Sequence, residues 1–68
     1  MGHHIDENGY FKSDKHPDLP INKIALDFRD IHARPCLRMY ARLTLDQELK
    51  DDILTGLENT KDQIKIPD

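Results

Sequence analysis

A single cysteine, Cys36, excludes any disulfide within the chain, and a lone thiol fits a reducing, cytoplasmic setting. No apolar run approaches the ~20 residues that cross a bilayer. The first residues are acidic and polar where a signal peptide is basic and then apolar, so the sequence predicts a soluble, cytoplasmic protein with no membrane association. Tryptophan is absent, and the three glycines, Gly2, Gly9 and Gly56, compose no phosphate-cradling loop. Neither an H-E-x-x-H run nor a C-x-x-C pair occurs, and His3, His4, His16, His32 and Cys36 are scattered. Such scatter does not make a structural zinc site, and no cofactor is expected.

What remains is a short chain with uneven charge. Its 68 residues form one domain (1–68), near the lower limit at which an apolar core outweighs chain entropy without a second copy or a partner. The formal net charge of -3 argues against a general nucleic-acid binder. The middle is nevertheless basic: Lys23, Arg29, Arg34, Arg38 and Arg42 stand against Asp27 and Asp30, while the segment from Thr44 onward is acidic.

The first 22 residues read as an arm or loop. Asn8-Gly9 suits a two-residue hairpin turn, although a lone hairpin is marginal in water. Pro17 and Pro20 mark an ordered loop packed through Leu19 and Ile21. In residues 23–28, "KIALDF" alternates Ile24, Leu26 and Phe28 with Lys23, Ala25 and Asp27 and predicts the clearest strand. The period then changes. Pro35 is tolerated only in a first turn, so a helix is expected over 31–43. A second helix is expected over 46–60, capped by Thr44 with Gln47 or by Asp46 alone. Gly56 weakens that helix by roughly 1 kcal/mol unless it admits a close neighbour. Residues 61–68 read as a loose tail, with a short strand through Ile64 and Ile66 as the alternative. The expected class is α+β: an arm or hairpin, one strand and an antiparallel helix pair.

On the first helix, Leu43, Cys36, Tyr40, Ala33, Leu37 and Ala41 span roughly 160° of arc, wider than the ordinary core stripe of about 100°. A helix apolar over that breadth touches two neighbours, which predicts a homodimer or an obligate partner, with Leu37 and Tyr40 as self-association residues. Arg34, Arg38 and Arg42 form a separate stripe at i, i+4 spacing, where like charges repel. The stripe either pairs with Glu48, Asp51 and Asp52 of the second helix or, extended by Arg29, docks an acidic protein surface or a phosphate backbone.

"GHHID", "GYFKSDKHPDLP", "KIALDF" and "ARPCLRMYA" together resemble a group of short bacterial and phage proteins that share a GHHID-like start, an F-x-S-D-K-x-P-x-L-P core and an A-R-x-x-L-x-x-Y-A helix. The likeness covers about the first two thirds of the chain and departs at His16, where an aromatic residue is expected. It carries no activity across. It implies that His3 and His4 are native residues and not a purification tag.

Ser13, Asp14 and His16 lie together in sequence, but a catalytic triad is a spatial arrangement and neighbours in sequence seldom form one. The expected function is therefore non-enzymatic: a small bacterial or phage-type protein that binds a larger protein, for example to modulate a host or defence complex. One alternative is a nucleic-acid-associated regulator working through the arginines. Another is a metal-binding accessory protein: removal of the initiator methionine would leave Gly2-His3-His4 at a free end, where the amine, two amides and the His4 imidazole can enclose Cu²⁺ or Ni²⁺ in a square plane.

Overall fold

The computed structural model describes residues 2–66. It contains two short strands, β1 (His3–Ile5) and β2 (Phe11–Ser13), two helices, α1 (Ala33–Leu43) and α2 (Gln47–Asn59), and a final 3-10 turn at Lys61–Gln63. The α+β class expected from the sequence is the class observed.

β1 and β2 form an antiparallel hairpin with His3 opposite Ser13, His4 opposite Lys12 and Ile5 opposite Phe11. Its connection is built differently from the two-residue turn expected. A type I′ turn needs positive φ at both central residues, and here only Gly9 has it, at 85°. Asp6 closes the loop instead: its carboxylate accepts the amides of Asn8 and Tyr10, each at 2.9 Å. Lys12 then fastens the proline-containing loop, donating to the carbonyls of Pro17 at 3.2 Å and Leu19 at 2.7 Å. Leu19 is half-buried as expected, while Ile21 is exposed.

The strand predicted over 23–28 does not form. The alternation is present, but a strand exists only with a partner to receive its amides and carbonyls, and no described strand runs beside this segment. Phe28 alone is turned inward, against the core of Ala41, Ile53 and Leu57, with Leu37 beside it.

α1 begins at Ala33, with Pro35 in the first turn where its missing N–H costs no bond. Its start is fixed from upstream, since the Asp30 carboxylate accepts the His32 amide at 2.7 Å and the Asp30 carbonyl accepts those of Ala33 and Arg34. α2 is capped by Asp46, whose carboxylate takes the Leu49 amide at 3.0 Å. Gly56 is where the helix admits Phe28: a Cβ built there would stand 2.7 Å from the ring. The last described residues are less loose than expected. Lys65 exchanges backbone hydrogen bonds with Arg29 and Ile31, forming a parallel bridge opposite Asp30. Residues 67–68 of the expected tail lie outside the described residues.

The core is small. Ala33, Ala41, Ile53 and Leu57 are its buried apolar residues, while Met39, Tyr40, Leu43, Leu45 and Ile24 remain exposed. The structure thus keeps large aliphatic and aromatic area in water, which a monomer of this size seldom tolerates.

Candidate functional site

The four candidate arginines have three different fates. Arg34 is buried, 8% exposed. Its Nη1 donates to the Phe28 carbonyl at 3.0 Å and to Thr60 Oγ1 at 2.9 Å, and its Nη2 donates to the Leu57 carbonyl at 2.9 Å. A guanidinium so placed satisfies the Leu57 carbonyl in the last turn of α2, at the helix's negative end. Arg34 is therefore withdrawn from any docking face. Arg29 folds back on Asp27, its Nη2 2.9 Å from Oδ2, and the same carboxylate accepts the Arg29 amide. Those bonds hold the Asp27 carboxyl well below the usual carboxylate range and push the Arg29 guanidinium up.

Arg38 and Arg42 are exposed and form no salt bridge among the described residues. Of the acids expected to meet them, Asp51 accepts from Gln47 at 2.9 Å, while Glu48 and Asp52 are exposed; Glu58, further along α2, pairs with Lys61 at 2.7 Å. Lys61 accordingly lowers the Glu58 carboxyl. Direct pairing of the stripe with Glu48, Asp51 and Asp52 is absent among the described residues.

The two expected self-association residues also part company. Leu37 packs against the core. Tyr40 is 58% exposed, and it shares its side of α1 with residues at i, i+3, i+4 and i+7: Cys36, Met39, Tyr40 and Leu43. All four are exposed. Leu45, fully exposed just past the helix end, continues apolar area around the tip of the helix pair. α1 therefore shows three stripes: Ala33, Leu37 and Ala41 inward, Arg38 and Arg42 on one flank, and the Cys36-to-Leu43 set on the other. The breadth of the apolar arc foretold the uncovered flank; the choice of Leu37 over Met39 and Leu43 missed which residues line it. Leu45, which the helical period sets with Leu49, Ile53, Leu54 and Leu57 on one face of the second helix, instead lies before α2 and is fully exposed.

The N-terminal histidines are built into the hairpin. His4 Nδ1 lies 2.8 Å from Asp14 Oδ1, and the His3 ring stacks on Phe11 at a centroid distance of 5.5 Å. The Gly2 carbonyl accepts the amides of Asp14 at 2.8 Å and Lys15 at 3.3 Å. A square-planar chelate on Gly2, His3 and His4 needs a flexible end, whereas here the His4 imidazole and the β1 backbone must first leave their partners. Met1 lies outside the described residues. Ser13 Oγ accepts the His16 amide at 3.3 Å, so this hydroxyl serves the turn. Between the hairpin and the following segment lies an open cavity of about 410 Å³, lined by His3, Phe11, Ser13, His16, Ile24 and Ala25.

No helix among the described residues is long and apolar enough to cross a membrane. No family model, curated protein or solved structure matches the chain.

Proposed function

We propose that this chain is a non-enzymatic binding protein that docks a larger protein through the outer side of α1. The observation that carries the reading is the exposure of Met39, Tyr40 and Leu43 on one helical flank, with Leu45 beyond it, in a chain whose own core is only a few residues. Exposed apolar area of this kind is characteristic of interaction surfaces, and a Tyr and a Met at its centre are residue types enriched in interface cores. Arg42, next to Met39 around α1 and without an internal ion pair among the described residues, suits a partner whose groove is apolar with an acidic rim on that side.

Two variants test this. Tyr40→Glu sets a charge in the centre of the apolar flank, and Arg42→Glu reverses the charge at its border. Both should melt as the parent does and both should weaken capture of the partner, Tyr40→Glu the more. A nucleic-acid role for the same arginines predicts instead that nonspecific DNA or RNA binds with a steep salt dependence, through counterion release, and that Tyr40→Glu leaves this binding intact.

A further inference from the structure

We propose that residues 23–27 pair as an antiparallel strand with the same residues of a second copy of this chain, forming a two-fold dimer centred on Ala25. The inference goes beyond the α1 surface and places self-association on a different part of the molecule.

The segment has strand pattern without strand bonding. Neither the amides nor the carbonyls of Lys23, Ile24, Ala25 and Leu26 hydrogen-bond another described group, and all four residues are exposed. Exposed, unpaired backbone of this composition is a template for another strand.

Charge selects the occupant and its direction. In an antiparallel pair centred on Ala25, Lys23 faces Asp27 of the second copy, whose carboxylate keeps Arg29 and Lys65 on its own side and is 40% exposed toward the other, Ile24 faces Leu26, and Ala25 faces its own equivalent. Both ion pairs form at once because the arrangement is isologous, and opposite charges directly across strands favour pairing. A parallel pair in register would set Lys23 on Lys23 and Asp27 on Asp27. An antiparallel shift by one residue would take each charge off its counterpart and exchange the faces. Centring on Ala25 also joins Ile24 and Leu26 of both copies in one apolar row leading to each Phe28. The small side chain of Ala25 permits the close approach at the axis.

Two experiments on the full-length chain decide the matter. In a Cys36→Ser background, Ala25→Cys should oxidise to a symmetric disulfide dimer, because facing residues of antiparallel strands have Cα atoms about 4.5–5.5 Å apart, inside the window of about 4.4–6.8 Å for a disulfide. Lys23→Cys in the same background should not, its two copies being four residues apart along the pair, roughly 13 Å. Separately, Lys23→Asp and Asp27→Lys should each sediment as a monomer, and their equimolar mixture should form a heterodimer in which both charge pairs are restored. Equal crosslinking of the two cysteine variants overturns the proposal, as does absence of any dimer in the parent, the result expected if another protein covers the segment. If Asp27→Lys fails to fold, since Asp27 holds the Arg29 amide, the cysteine comparison decides alone.

Discussion

Arg34 of α1 closes the end of α2 by donating from Nη2 to the Leu57 carbonyl at 2.9 Å, across 23 residues of sequence. This contact, with those to Phe28 and Thr60, ties together α1, α2 and the bend before α1. It adds a buried polar tie between two helices whose shared apolar core is small.

Replacing Arg34 should therefore cost stability. Arg34→Met keeps the aliphatic stem but leaves the Phe28 carbonyl without a donor and the Leu57 carbonyl with only the longer 3.3 Å contact from Thr60 Oγ1, at an expected loss of about 2–3 kcal/mol. Arg34→Lys should recover only part of this, because one ammonium lacks the planar fork that reaches three acceptors. Urea denaturation of the two variants measures both effects. A parent-like midpoint for Arg34→Met would remove the clasp from the account.

Arg38→Glu is the contrast. With no ion pair to lose, its stability should stay within about 0.5 kcal/mol of the parent. Thermal melting of Arg34→Met and Arg38→Glu side by side separates a structural arginine from a surface one spaced four residues away.

Gly56→Ala should destabilise, against the usual sign. Alanine gains roughly 1 kcal/mol of helix propensity over glycine, yet the new methyl would stand 2.7 Å from the Phe28 ring, and that ring is held against the core. Overpacking typically costs 1–3 kcal/mol, about enough to cancel the gain and exceed it. Gly56→Ala combined with Phe28→Leu should be less destabilised than the sum of the single changes, which a double-mutant cycle reads directly.

The bend before α1 should resist acid. Asp27 accepts both the Arg29 guanidinium and the Arg29 amide, so its carboxyl is depressed from its ordinary value. A depressed carboxylate contributes stability that is complete above its unfolded pKa and is lost as pH falls through the folded one. Carbon-detected NMR titration should find Asp27 ionised at pH values where an aspartate in an unstructured peptide has already taken up its proton. Coincident titration of the two would contradict the bonding described.

The helices were legible because their signals are local. Pro35 fixed where α1 could start, Asp46 supplied the α2 cap, and Gly56 announced a close neighbour that proved to be Phe28. Residues 23–28 were misread for a reason that is not local: alternation shows that a segment suits a sheet, but only tertiary or quaternary contact supplies the other strand. The arginine row failed similarly. Four-residue spacing places Arg34, Arg38 and Arg42 near one another on a helix, yet Arg34 lies next to the inward stripe of Leu37 and Ala41, where it reaches the buried Leu57 carbonyl near the end of α2. The width of the apolar arc carried the remaining information, namely that one side of α1 stays exposed among the described residues.

The central claim, that the outer flank of α1 docks a larger protein, is tested most directly by quantitative affinity capture from the native host with the parent and Leu43→Glu in parallel. Leu43 is 73% exposed, so the variant should melt with the parent. The account predicts one protein recovered in near-stoichiometric amount with the parent and reduced about tenfold or more with Leu43→Glu, a loss of about 1.4 kcal/mol or more in binding. Recovery of the same proteins in the same amounts from both, with melting unchanged, would contradict it.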